Sequence, residues 1–221
     1  MNTARPLDRA AVRVHLAERD LGPIVEGAVV RNAVMRAVTS LLFAPEPLIR
    51  WRAVETLGLA AARRAEVAIE KVRRQVRDLL WLMNDESGGL CRMAPEAIGE
   101  IVFRVPKLLG EYGVLLPQFF DEEPFERGSR WAVARLAPLQ PDSFTGAVPR
   151  LVSSLDEPDP VIRGYALLAL NAIGDKTAAE RAEKLSDDAV PVPVYDFETG
   201  RLDDITVGEL ARRYCGNSSS E

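Results

Sequence analysis

The sequence predicts an all-α fold, a superhelix of stacked helix pairs finished by a small C-terminal β-hairpin and helix. Two observations carry this. The frame W-R-A-V-E-T-L-G at Trp51–Gly58 returns as R-M-A-P-E-A-I-G at Arg92–Gly99, R-W-A-V-A-R-L-A at Arg130–Ala137 and G-Y-A-L-L-A-L-N at Gly164–Asn171. Its anchors Ala53, Ala94, Ala132 and Ala166 stand 41, 38 and 34 residues apart, and Leu57, Ile98, Leu136 or Leu170 follows each by four residues. A small residue and a large aliphatic one turn later share a helix face, and recurrence at such a period marks a helical array.

The elements follow in order. Asp8 can cap a first helix through about Asp20, ended by Leu21-Gly22-Pro23. Ile24 to Leu42 has apolar residues at helical spacing. Pro47 opens the first anchor helix, where its missing N–H would be unpaired anyway. That helix is predicted to reach about Arg64. A long amphipathic helix follows over 65–83, with Val67, Ile69, Val72, Val76, Leu79, Leu80 and Leu82 on its apolar stripe. Gly88-Gly89 turns the chain into the second anchor helix, near Ala94-Pro95.

Pro106, Gly110 and Gly113 break the next stretch, leaving a short helix over 114–120 and the third anchor helix over 126–136. An outer helix over 147–155 precedes the fourth anchor helix, 161–173, stopped by Gly174. Thr177 and Glu180 fit a capping box for a helix over 178–185. From Val190 the pattern alternates: a strand over 191–197, a turn at Glu198-Thr199-Gly200, a returning strand over 201–205. Thr206 and Glu209 open a last helix to about Tyr214. The expected organisation is an array over 1–189, a hairpin and helix over 190–215 covering the apolar end of the stack, and a disordered tail over 216–221.

Composition excludes several functions. A net charge of −5 argues against a general nucleic-acid binder, which needs a basic surface to displace counterions, and leaves room for a local basic patch. A single histidine, His15, cannot build a His-rich metal centre, and it falls in a polar helix as a surface residue. Cys91 and Cys215 lack partners at metal spacing and suit a reducing cytosol. Cys91 reads as a small buried apolar residue. No apolar run approaches the roughly 18–20 residues of a membrane span, and the N-terminus has no signal-peptide h-region. Neither a P-loop nor a strand-linked G-x-G-x-x-G is present. No cofactor is expected.

The stretch Asp156–Asp175, D-E-P-D-P-V-I-R-G-Y-A-L-L-A-L-N-A-I-G-D, resembles the short HEAT-like repeat of phycobilisome lyases. Its marks are the Asp159-Pro160 turn, Ile162-Arg163, the A-x-x-A-L run and I-G-D. Pro47–Gly58 fits more loosely, and the resemblance extends over roughly Val30 to Leu185. It implies an α-solenoid with anchor helices on the concave side. Most proteins of this kind bind other proteins; a few are bilin lyases or other enzymes. A HEAT-fold DNA glycosylase would need a more cationic groove than Arg52, Arg92 and Arg130 supply beside Glu55 and Glu96.

At about 100° per residue, positions two before and two after each anchor alanine lie opposite the core. They are Trp51 and Glu55, Arg92 and Glu96, Arg130 and Ala134, Gly164 and Leu168. On stacked helices they predict a concave band with Trp51, Glu55, Arg92, Glu96 and Arg130 as partner-binding residues, because aromatic rings beside arginines suit binding surfaces. Arg50 and Arg163, three before the anchor, are expected to hold the preceding turn. The loop residues Asn84, Asp85 and Glu86 bring oxygens to the groove mouth as a possible second site. The expected activity is non-enzymatic binding of a protein through the concave face, the alternative a small molecule seated in the same groove.

Overall fold

A computed structural model describes residues 7–84 and 89–218. The helices are α1 (Arg9–Glu18), α2 (Gly22–Val30), α3 (Asn32–Ser40), α4 (Pro47–Trp81), α5 (Ala94–Arg104) and α6 (Leu109–Tyr112). Then come α7 (Glu126–Leu136), α8 (Val148–Ser153), α9 (Pro160–Ile173), α10 (Ala179–Glu183) and α11 (Val207–Ser218). Strands β1 (Pro191–Asp196) and β2 (Arg201–Thr206) pair antiparallel, Val192 opposite Ile205 and Tyr195 opposite Leu202.

The anchor helices form one layer. α4 packs on α5, α5 on α7, α7 on α9 and α9 on α11. Ala53, Ala94, Ala132 and Ala166 are all 0 % exposed, as are Leu57, Ile98, Leu136 and Leu170. Small residues let the axes approach. A Cβ added at Gly99 would lie 2.8 Å from Ala132 Cβ and 3.1 Å from its Cα. The arginines before the anchors hold their turns: Arg50 donates to the Ala44 and Pro45 carbonyls, Arg163 to those of Glu157 and Pro158.

Several boundaries differ from the sequence reading. The helix expected over 24–42 is two, because Arg31 adopts extended backbone (φ −121°, ψ 112°). The break expected near residue 64 falls at Ala68 (φ −158°, ψ 72°), inside α4. The helix expected over 114–120 is a 3-10 segment, Gly113–Asp121, interrupted by Pro117, which has no N–H to donate. The Thr177 capping box does not form. Thr177 instead donates both its N–H and its hydroxyl to Asp175 Oδ1 (3.0 and 2.8 Å), a local turn that competes with the cap. The Thr206 cap does form, accepting from Glu209 N–H at 3.1 Å. α11 continues to Ser218, through the first residues of the expected tail; 219–221 lie outside the described residues.

α11 covers the end of the stack, against α9 and α10. The hairpin does something else: it runs back along the inner face of the anchor helices. Val192 sits against Gly164 of α9, and its strand partner's turn reaches α1, where Arg19 donates to the Phe197 and Glu198 carbonyls.

Candidate functional site

The inner face is an aromatic and ionic seat for the hairpin. The Trp51 ring of α4 stacks on Tyr195 at 5.6 Å and meets Trp131 of α7 edge-on at 4.8 Å. Trp131 stacks in turn on Phe197 at 6.0 Å. Tyr195 donates its hydroxyl to Glu55 Oε2 at 2.5 Å, and Arg19 donates to Glu55 Oε1 at 2.9 Å. Arg52 holds the Gly200 carbonyl, and Tyr165 donates to that of Pro193. Arg135 lies between the Phe103 and Phe197 rings, 3.6 and 4.2 Å from their centres, and donates to buried Glu100.

Most of the band expected to be exposed is therefore covered. Trp51 and Glu55 are 5 % and 4 % exposed because the hairpin lies over them. Arg130 is buried, 3 % exposed, and donates to Ser154 Oγ, Phe120 O and Glu126 O instead of presenting itself on a binding surface. In that repeat the long guanidinium side chain reaches one carbonyl before the helix, Phe120 O, and one in its first turn, Glu126 O, much as Arg50 and Arg163 reach their preceding turns. Asn84 donates to Leu80 O and closes α4; Asp85 and Glu86 lie outside the described residues. Sequence reasoning missed Arg19, Arg135, Tyr165, Tyr195 and Phe197. The aromatics at 195 and 197 were the available signal, since two large rings on one face of a two-stranded hairpin need a surface to cover them.

Part of the inner face stays open. At the N-terminal ends of α4, α5, α7 and α9 lies a cleft of about 840 Å³, with Pro193, Leu202 and Asp204 of the hairpin as one wall. Trp51, Tyr165 and Met93 supply apolar surface. Arg92 lies on this cleft, exposed, and makes no hydrogen bond or ion pair with the described residues. Arg50 and Arg127 are committed, to the Ala44 and Pro45 carbonyls and to Asp159.

Glu96 forms part of the cleft lining, 5 % exposed, packed against Gly128, where a Cβ would overlap its carboxyl. Its Oε2 has no hydrogen-bond partner. Burial pushes its pKa up to about 8, against the opposing pull of its own backbone N–H and of Arg50. Cys91, 0 % exposed, has its thiol pushed up to about 12 by burial, so it is no nucleophile at neutral pH. Among the described residues no cluster of three or more His, Cys, Asp or Glu is placed to hold a metal ion.

The Glu96 carboxyl gives a pH signature. Its folded pKa lies above the usual 4.5, so between about pH 4.5 and about 8 the folded chain holds a proton that the unfolded chain has released. Stability falls as pH rises through that window. Glu96→Gln is expected to remove this loss, so the variant gains on the native chain by a few kcal/mol between about pH 5 and about pH 9. Urea unfolding of both chains at the two pH values measures it; parallel pH profiles would contradict it.

No family model matches the chain. An uncharacterized protein of Archaeoglobus fulgidus is 29% identical over 138 residues, spanning 62% of this chain and 72% of that one. Among solved structures, an engineered protein superimposes with a TM-score of 0.58 at 18% identity, covering 96% of this chain and 90% of that one. A designed armadillo repeat protein in complex with peptide (KR)4 gives 0.53 at 19% identity, covering 97% and 95%. At such identities the likeness is one of fold, and the chain is a helical repeat superhelix of armadillo-like architecture with a C-terminal hairpin. No helix among the described residues is long and apolar enough to cross a membrane.

Proposed function

We propose that the chain is a non-enzymatic, cytoplasmic scaffold of HEAT-like repeats that binds a segment of a protein partner in the cleft at the N-terminal ends of its anchor helices. In this reading Arg92 and Glu96 contact the partner. Trp51 and Glu55 act indirectly, by seating the hairpin that walls the cleft. Arg130 keeps the third repeat's turn in place. Leu90 and Arg92, which follow Asn84, Asp85 and Glu86 in sequence, line the cleft.

The observation that carries the proposal is the contrast along one face. The hairpin already fills the inner side over Trp51, Trp131 and Gly164. The cleft beside it is open, with a guanidinium at Arg92 that has no partner among the described residues and a buried carboxyl oxygen at Glu96, Oε2, that has none either. A partner would satisfy the Glu96 oxygen, since a buried polar atom without a hydrogen bond costs about 1–3 kcal/mol, and Arg92 offers an exposed cation beside it. The armadillo protein of similar fold is itself a peptide complex, in keeping with this use of the architecture.

Photo-crosslinking tests it. A crosslinker replacing Leu90, beside the cleft, is expected to capture one defined partner, and Arg92→Glu is expected to abolish the capture. A crosslinker at Val14, exposed on α1, should not capture it. Capture undiminished by Arg92→Glu, or equal from Val14, would overturn the proposal. The cleft volume also lies in the range of small-molecule sites. A non-covalent ligand mass that native mass spectrometry loses in Arg92→Glu would favour that second reading.

A further inference from the structure

A second cavity, of about 750 Å³, lies between α3 and the second half of α4, and no hairpin residue lines it. Its interior holds polar atoms that the protein leaves unsatisfied. Arg64 is 4 % exposed and Gln75 7 % exposed, and Arg64 Nε, Gln75 Nε2 and Gln75 Oε1 have no hydrogen-bond partner. Arg64 makes one side-chain hydrogen bond among the described residues, from Nη2 to Asn32 Oδ1 at 2.8 Å, and that acceptor is neutral. No carboxylate of the described residues pairs with it, and burial alone lowers its pKa. A buried guanidinium without a counter-charge is costly, and chains that keep one usually supply the anion from elsewhere.

The rim has the same sign. Arg36, Lys71 and Arg74 line the cavity, are exposed, and form no ion pair among the described residues. Two acids oppose these four cations. Glu70 is engaged by Arg73, which leaves Asp78. The excess charge suits a dianion better than a single carboxylate. A planar guanidinium and an amide N–H donate well to tetrahedral oxyanions. Met35, Leu79 and Leu82 add an apolar wall, and the volume exceeds what a bare oxyanion fills.

We propose that this cavity binds a phosphate group, free or as the monoester of a small organic molecule, held by Arg64 and Gln75 and faced by Arg36, Lys71 and Arg74. Gln75 Nε2 and Arg64 Nε donate to phosphate oxygens. Gln75 Oε1 accepts from a protonated phosphate oxygen or from a hydroxyl of the organic part. The site is independent of the cleft beside the hairpin, since its polar groups all come from α3 and α4.

Isothermal titration of the full chain with inorganic phosphate, phenyl phosphate and acetate at matched ionic strength is the test. Saturable binding of inorganic phosphate is expected. Tighter binding of phenyl phosphate would identify the ester, and equal or weaker binding would identify free phosphate; acetate should give no saturable signal. Gln75→Leu removes two unsatisfied polar atoms at similar volume, so it should fold, and it is expected to weaken phosphate binding by at least about tenfold. Lys71→Ala/Arg74→Ala changes only exposed side chains and should weaken it comparably. No saturable binding of either phosphate, equal binding of acetate, or native affinity in both variants would overturn the proposal.

Discussion

Trp51→Ala is expected to destabilise the chain by about 3–5 kcal/mol, the range for emptying a buried tryptophan site. The ring is 5 % exposed and sits between Trp131 and Tyr195, so its removal opens a void that neither the anchor layer nor the hairpin can fill alone. The effect should also be uneven in space. Tyr195 loses its stacking partner while keeping its hydrogen bond to Glu55, so the hairpin loosens before the helices do. Denaturant unfolding gives the total. Hydrogen exchange gives the pattern: amides of 191–206 should lose protection well beyond those of α5 and α7. A loss below about 1 kcal/mol, in the range of an ordinary surface substitution, would mean the inner face is not packed against the hairpin.

Gly99→Val should cost about 3 kcal/mol, at the upper end for overpacking a close contact. The first added carbon would stand 2.8 Å from Ala132 Cβ and 3.1 Å from its Cα, and a backbone atom cannot swing aside. α5 and α7 would have to separate, disturbing the layer on both sides because α5 also packs on α4 and α7 on α9. Leaving a helical glycine recovers about 1 kcal/mol of intrinsic propensity, so Gly99→Ala should be the milder variant. Thermal unfolding of the pair measures both. A stabilised Gly99→Val would show that the two helices do not meet at this point.

The array was readable because its signal is local and repeated. An alanine and an aliphatic residue one turn on report one helix face, and four copies of that pair fix which faces stack. Arg50 and Arg163 were readable for the same reason: the turns they hold lie within six residues. The hairpin's existence was also local, in the Glu198-Thr199-Gly200 turn and the Thr206 cap. Its resting place was not. Tyr195 and Glu55 are 140 residues apart, and no periodicity in either segment encodes their meeting. Helical geometry sets Trp51, Glu55 and Glu96 opposite the anchor alanines, but those positions face the hairpin or the cleft floor instead of open water. Arg130 failed differently, since its side chain is long enough to leave its nominal face. The break at Arg31 has no glycine or proline to announce it. The phosphate cavity was invisible too, because Arg64 and Gln75 line it from either side of the Ala68 kink, and no periodicity relates the two positions.

Among the described residues the hairpin lies along the inner side of the anchor helices and leaves the cleft beside it open. Proton–proton nuclear Overhauser effects between aromatic rings measure this most directly. Cross-peaks are expected between Trp51 and Tyr195 and between Trp131 and Phe197, whose ring centres stand 5.6 and 6.0 Å apart. Their absence, with well-resolved ring signals for all four residues, would place the hairpin elsewhere and contradict the account.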